Sequence, residues 1–348
     1  MKKLAYSIIV MFLFVGLTDL IAKNNVEKRK TIQKSYTVKE FVKLSIDNSF
    51  GRVHINTTNS NKIDVKIEII AKRKTEERAL ELLKLINVNI EETGSMISFE
   101  TDINGSLNNK NTESFEINYT VSMPMKNPLY VKNSFGDTYL SDLDGDAELK
   151  IAYGDVKTET LNGTSKIKLS FGDGHFKYVK TGEVEVKYSD ATFDKMGIVK
   201  FEQGFSDVEI GIAQTLDMTS KYGDLEIGKI DGIRGYIGYS DLSIGYLTVE
   251  ADLEASYAGG FEIDQIAKGF KSVKMEGKFS SFELEFESGT NGTFEARVKY
   301  GDFDYSDDQI ELNYRNKSDN KAEYRGTIGN GQGGHVEIIT SYGNIELD

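Results

Sequence analysis

The chain has 348 residues, of which 39% are hydrophobic and 28% are charged, so its composition is that of a folded protein with a buried core. It contains no cysteine, which excludes disulfides, thiolate zinc sites, iron–sulfur clusters and cysteine nucleophiles. A formal net charge of −13 argues against nucleic acids and anionic membrane surfaces as partners.

Residues 1–22 form a predicted export signal. Lys2 and Lys3 supply a basic start, and the segment 4–17 is an apolar stretch. Because a membrane span needs about 20 apolar residues, this stretch is short for a span, and we favour cleavage near Ala22 over an uncleaved anchor. The sequence therefore predicts a periplasmic, cell-surface or extracellular protein, which contacts a membrane only if this segment is retained.

A short motif of an aromatic residue, a small residue and Asp recurs through the C-terminal two thirds of the chain. Successive aromatic residues from Phe135 to Tyr257 are spaced 17 or 18 residues apart, which indicates one structural unit that is repeated and stacked. The motif loosens near residue 279 and returns at Tyr300 and Tyr342. The predicted structural repeat residues are Phe135, Tyr153, Phe171, Tyr188, Phe205, Tyr222, Tyr239, Asp155, Asp173, Asp190, Asp207, Asp224 and Asp241.

Apolar and polar residues alternate on both sides of each aromatic residue, as in β-strands. With the aromatic residue at position 0, positions −4, −2, +3 and +5 are mostly apolar, as at Leu225 and Ile227 after Tyr222. We expect the aromatic side chain on the same inward face. The small residue and Asp should form a corner, where Gly tolerates a positive φ and Asp binds the following amides.

This pattern predicts an all-β fold, a single-stranded, right-handed β-helix-like solenoid with coils of about 17 residues. An antiparallel β-meander is the alternative, because Gly-Asp also suits a hairpin turn. The solenoid repeat domain is predicted for residues 131–348, with a polar excursion at about 307–334.

Residues 23–130 are predicted to form an N-terminal β region with an insertion. The segment 48–51 matches 133–136 letter for letter, and the two segments lie five repeat periods apart. A Thr75 cap, acidic residues after it and an apolar stripe predict one short helix at about 75–87. We expect this helix to cover the open end of the repeat.

The triplets, the segment from Tyr119 to Asp137 and the predicted signal make the chain resemble the putative adhesin domain family of secreted bacterial proteins, whose relatives include adhesin-head-like β-solenoid repeats. The resemblance covers about Thr37 to Asp348. It implies a β-helix-like solenoid at or beyond the cell envelope with an adhesive or structural role. No catalytic residues accompany the family, so none is transferred.

We therefore expect an exported, adhesin-like structural or binding protein without catalysis and without a cofactor. The alternative is a β-helix enzyme that acts on polysaccharide through Asp and Glu side chains. Weak candidates for a Ca²⁺ site are Asp142, Asp144 and Asp146, which alternate around Gly145 but lack the Gly and Glu positions of an EF-hand loop.

The outward positions predict one acidic face. Positions +4 and +6 over eleven units hold 11 acidic and 2 basic residues, whereas positions −1, −3 and −5 hold 10 acidic and 12 basic residues. We expect this face to bind an envelope or surface macromolecule, either cationic or a polysaccharide bridged by divalent cations. The alternative is that it only keeps an exposed sheet soluble. The candidate binding residues are Glu209, Glu226, Glu262, Asp264, Glu283, Glu285 and Asp304.

Overall fold

The protein is described by a computed structural model that covers residues 25–104 and 113–348, so the predicted export signal lies outside the described residues. Within these two ranges the fold is all-β, with 25 strands in one sheet and one helix. In the same ranges, no helix has both the length and the apolar character that crossing a membrane requires.

The N-terminal region contains the helix and nine strands. Their bounds are β1 (Val26–Thr37), β2 (Lys43–Ser49), β3 (Val53–Thr58), β4 (Lys62–Arg73), α1 (Glu76–Leu85), β5 (Ile86–Glu92), β6 (Met96–Ile103), β7 (Ser114–Pro124), β8 (Leu129–Ser134) and β9 (Thr138–Leu140).

The repeat region contains the other sixteen strands of the described chain. Their bounds are β10 (Ala147–Ala152), β11 (Val156–Ser170), β12 (Gly174–Lys187), β13 (Ala191–Gly204), β14 (Val208–Lys221), β15 (Leu225–Gly238), β16 (Leu242–Ser256), β17 (Phe261–Ile266), β18 (Ser272–Lys278), β19 (Phe282–Phe286), β20 (Gly292–Lys299), β21 (Phe303–Tyr305), β22 (Ile310–Ser318), β23 (Lys321–Ile328), β24 (Gly334–Ser341) and β25 (Ile345–Leu347).

From β10 to β19, each repeat unit pairs in parallel with the next unit of the chain. Val184 lies opposite Phe201, which lies opposite Met218, so the register advances by one repeat period from strand to strand. Strands β11 to β16 are 14 or 15 residues long, so one long strand runs from each aromatic corner to the next. A meander would pair consecutive strands antiparallel, and the parallel register therefore excludes it for these units.

The first unit of the repeat lies in the N-terminal region, as the match of 48–51 with 133–136 predicts. Strand β2 pairs in parallel with β8 so that Asn48 lies opposite Asn133. Helix α1 begins after Thr75, whose hydroxyl accepts a hydrogen bond from the backbone N–H of Arg78 at 3.4 Å. Its buried residues, Ala79, Leu82 and Leu83, join the core.

Antiparallel strands flank the parallel stack at both ends. Strands β1, β4 and β7 pair antiparallel at one end, as do β5 and β6. At the other end β20, β23 and β22 pair antiparallel, so the predicted polar excursion contains a β-hairpin. The last unit of the sequence, β24–β25, lies between the units β18–β19 and β20–β21, which precede it in the chain.

The expectation that the motif aromatics point inward is wrong. Each has a positive φ, 56° at Tyr153 and 59° at Tyr222, and this left-handed conformation turns the side chain outward at the corner. About half of each ring is exposed, and consecutive rings stack with centroids 4.7–5.1 Å apart. We call this set the aromatic ladder; in spatial order it contains Phe135, Tyr153, Phe171, Tyr188, Phe205, Tyr222, Tyr239, Tyr257, Phe279, Tyr342 and Tyr300.

Where Gly follows the aromatic residue, the lack of a side chain is required by space. A Cβ atom on Gly154 would lie 2.3 Å from the carbonyl oxygen of Gly136 in the preceding unit. Where Ser takes this position its hydroxyl is used internally, since Ser206 Oγ donates to the carbonyl oxygen of Gly204 at 3.0 Å. The corner therefore stacks backbone directly on backbone and leaves the ring as its outward group.

Candidate acidic binding face

The candidate binding residues lie on the strands that follow the aromatic corners. Their side chains are exposed, because they alternate with buried residues such as Ile210, Ile263 and Leu284. The parallel register places Glu209 opposite Glu226 and Glu262 opposite Glu283. Neighbouring strands are about 4.8 Å apart, so these carboxylates form a closely spaced row.

The row is densest toward the end of the sheet formed by β17, β19, β25 and β21. Glu283 lies opposite Glu346, and Asp304 also lies opposite Glu346. A second row lies two residues further along the strands and contains Asp264, Glu285 and Asp348. We call the whole set the acidic face; it contains Glu209, Glu226, Glu262, Asp264, Glu283, Glu285, Asp304, Glu346 and Asp348. Glu346 and Asp348 belong to this face because they occupy positions +4 and +6 after Tyr342, although they are not among the candidate binding residues.

No residue of the acidic face forms an ion pair within the described chain. The two acidic residues of the same sheet that lie further toward the N-terminal end do have basic side chains beside them. Glu159 binds Lys177 at 2.9 Å, and Asp194 lies 3.8 Å from the ring of His175. Uncompensated negative charge is therefore concentrated in the C-terminal half of the sheet.

Desolvation and the crowding of carboxylates raise the pKa of two residues of the acidic face. Partial desolvation, together with the charges of Asp264 and Glu283, raises the pKa of Glu262 above its usual value. Partial desolvation and the charges of Asp348 and Glu283 likewise raise the pKa of Glu346. In both shifts desolvation is the largest cause, and the neighbouring carboxylates add to it.

The weak Ca²⁺ candidates have separate hydrogen-bond partners in the next unit. Asp142 accepts from the backbone N–H of Thr160 at 2.9 Å, Asp144 from Asn162 Nδ2 at 2.8 Å, and Asp146 from the N–H of Thr164 at 2.9 Å. The first of these bonds lowers the pKa of Asp142. Across the described ranges no three His, Asp or Glu side chains converge on a common metal position. A weak Ca²⁺ site at these residues stays a prediction.

The motif aspartates tie one unit to the next. Asp137 Oδ1 accepts the backbone N–H of Asp155 at 3.1 Å, and Asp155 Oδ1 accepts the N–H of Asp173 at 3.0 Å. The expectation that Asp binds amides of its own turn is therefore wrong for these residues. The partner belongs to the next unit because stacking brings equivalent corners within hydrogen-bond distance.

Sequence reasoning missed a groove in the N-terminal half of the same sheet. It has a volume of about 400 Å³ and is lined by Arg52, His54, Tyr139, Lys157 and His175 among others. The rings of His54 and Tyr139 stack with centroids 4.6 Å apart. The sequence does contain a pattern that indicates this groove, because position +4 changes from His, Tyr and Lys in the early units to Glu in the later ones.

No family model and no curated protein matches the chain. Among solved structures it is similar to a protein described as a putative adhesin from Parabacteroides distasonis ATCC 8503, with 10% identity, a TM-score of 0.31, and coverage of 92% of this chain and 97% of that one. A putative adhesin from Parabacteroides merdae ATCC 43184 has 11% identity, a TM-score of 0.29 and coverage of 92% and 96%. A putative lipid binding protein from Parabacteroides distasonis ATCC 8503 has 9% identity, a TM-score of 0.34 and coverage of 91% and 96%.

Proposed function

We propose that the chain is an exported, adhesin-like binding protein of the cell envelope or extracellular space, and that its acidic face docks a cationic macromolecule without catalysis. The proposal includes the architecture, a β-solenoid whose coils are the parallel units. Support for the solenoid comes from the register, which advances by one repeat period at each step from β10 through β16. Support for export comes from the predicted signal in residues 1–22.

The observation that carries the binding proposal is the row of carboxylates that form no ion pair with any residue in the ranges 25–104 and 113–348. Its side chains project from consecutive paired strands, so their positions are set by backbone hydrogen bonds rather than by mobile loops. A surface that serves only solubility can carry mixed charges, as at positions −1, −3 and −5 before the aromatic corners of this chain. A cationic partner would relieve the repulsion that, together with the larger effect of desolvation, raises the pKa of Glu262 and Glu346.

The enzyme alternative has less support. A glycosidase pair needs two carboxyl groups whose environments push their pKa values apart. Glu262 and Glu346 instead lie in similar surroundings that shift both values upward. The acids of the predicted excursion, Asp307 and Asp308, are exposed on a turn before the edge strand β22.

The proposal is tested by changing Glu209, Glu226, Glu283 and Glu285 together to Gln and measuring attachment of the mature protein to cells and envelope fractions. We expect attachment to fall, and attachment of the unchanged protein to weaken as salt rises. The matched control changes Glu183, Glu202, Glu254 and Glu276 to Gln, which removes the same charge from the strand segments that precede the aromatic corners. Equal attachment of both variants would leave solubility as the role of the face. Loss of attachment on chelation would instead indicate bridging by divalent cations.

A further inference from the structure

The aromatic ladder is a long apolar surface that faces water. Its eleven rings are each 45–53% exposed in the described chain, and they form one uninterrupted stack. Because each ring covers the faces of its neighbours, only ring edges point outward. Such a surface suits packing against other side chains better than stacking against a flat ligand.

The exposed area is sufficient for a stable interface. A buried Phe or Tyr contributes about 150–250 Å², so eleven half-exposed rings present on the order of 1,000 Å². A standard protein–protein interface buries about 800 Å² on each partner. Contiguous apolar patches of this size on a soluble protein mark interaction sites.

Two rows of opposite charge flank the ladder. On one side lies the aspartate row, which contains Asp137, Asp155, Asp173, Asp190, Asp207, Asp224, Asp241 and Asp302. On the other side are the residues that directly precede the rings, and their charged members are all basic. We call these the lysine row: Lys187, Lys221, Lys278 and Lys299. Lys187 already binds Glu185 at 2.7 Å, whereas no ion pair of the other three is found in the described chain.

We propose that two copies of this chain associate ladder against ladder, related by a two-fold axis parallel to the ladder. This symmetry operation places the aspartate row of each copy opposite the lysine row of the other. At the level of Tyr222, for example, Lys221 of one copy faces Asp224 of the second copy. The interface is isologous, so the same self-complementary surface is used twice.

Charge decides the direction of packing. A two-fold axis perpendicular to the ladders would make the copies antiparallel and would bring aspartate row against aspartate row. Like charges placed opposite each other across an interface are strongly unfavourable, so only the parallel arrangement satisfies both the apolar and the charged parts of the surface. The aspartate row also disfavours an anionic membrane as the occupant of the ladder.

Sedimentation velocity across a concentration series tests the association. We expect a monomer–dimer equilibrium, and we expect the combined change Lys221→Asp, Lys278→Asp and Lys299→Asp to weaken it by about tenfold or more. The matched control changes the net charge by the same amount at positions away from the ladder, with Lys166→Asp, Lys200→Asp and Lys274→Asp. It should leave the dimer intact. A monomer at every concentration, or equal weakening by both variants, would overturn the proposal.

Cysteine cross-linking tests the direction, and the natural absence of cysteine makes every cross-link assignable. In mixtures of singly substituted copies, we expect Ser134→Cys to join Asp137→Cys and Lys299→Cys to join Asp302→Cys. Antiparallel packing would instead join Ser134→Cys to Lys299→Cys or Ser341→Cys, and that result would contradict the proposal. Adsorption of the protein to neutral vesicles without self-association would contradict it as well.

Discussion

The ring of Tyr222 lies 4.7 Å from the ring of Phe205, and the two planes differ by 9°. Tyr239 stacks on its other face with centroids 5.1 Å apart. Both contacts exist only because Tyr222 adopts a φ of 59°, a conformation that costs about 1 kcal/mol or more for a residue other than Gly. Stacking offsets this cost at every corner, since each aromatic pair contributes about 0.5–1.5 kcal/mol.

The first prediction separates stacking from backbone strain at Tyr222. Tyr222→Ala should lower the free energy of unfolding by about 1–3 kcal/mol, because it loses two ring contacts and keeps the strained φ. Tyr222→Gly should lower it less, because Gly adopts this φ freely, and Tyr222→Phe should be nearly neutral. Denaturant unfolding measures all three. A greater loss for Gly than for Ala would show that strain is unimportant here.

The second prediction concerns the contact of one corner with the next. Gly154→Ala should destabilise the protein by about 1–3 kcal/mol or more, because its Cβ would lie 2.3 Å from the carbonyl oxygen of Gly136, which cannot move independently of the stack. Gly94→Ala is the matched control, since no atom lies within 4 Å of the added Cβ. Thermal unfolding compares them. Similar melting temperatures would mean that the corners are looser than the structure shows.

The third prediction uses the buried Asn133, which accepts from Asn48 Nδ2 at 3.1 Å and donates to the carbonyl oxygen of Gly136 at 2.8 Å. Asn133→Asp should cost about 3 kcal/mol or more at neutral pH, because a carboxylate cannot donate to this oxygen.

Burial would raise the pKa of the new carboxyl in the folded state, so the penalty is full above that pKa and shrinks as pH falls below it. Unfolding measured against pH checks both statements. The exposed Asn320→Asp serves as the control and should show neither effect. A penalty that is independent of pH would contradict the assignment.

The fourth prediction concerns the acidic face. Because the pKa values of Glu262 and Glu346 are raised in the folded state, their ionisation destabilises the protein above those values and has no effect well below the usual 4.5. The double variant Glu262→Gln, Glu346→Gln should therefore be more stable than the unchanged protein at pH 7, and the difference should vanish in acid. A variant that is less stable at pH 7 would indicate that these carboxylates have stabilising partners.

The period of the repeat could be predicted from the sequence because it is set by which residues lie opposite one another. The match of 48–51 with 133–136 correctly placed the first repeat unit in the N-terminal region, where Asn48 lies opposite Asn133 in the structure. The alternation around Tyr222 correctly identified Leu225 and Ile227 as buried. These predictions needed only the alternation along a strand and the spacing between equivalent positions of successive units.

The outward orientation of the aromatic rings in the ladder could not be predicted in the same way. Alternation gives the side of a residue only while the backbone stays extended, and Tyr153 leaves that conformation with a φ of 56°. Sequence reasoning assigned the positive φ to Gly154, the residue usually found there. The steric demand on Gly154 comes from Gly136 of the preceding unit, which is a contact between units and leaves no local pattern.

The position of the last unit has a consequence for the order in which the chain can fold. Strand β24 lies between β18 and β20, and β25 lies between β19 and β21. The four strands β18, β19, β20 and β21 therefore lack a final partner until residues 334–348 are present. Synthesis from the N-terminus must therefore leave this end unfinished until residues 334–348 have been made. Folding of this end is then a step of insertion rather than of growth, and a chain that lost only this last segment would expose two unpaired strand edges on each side of the gap.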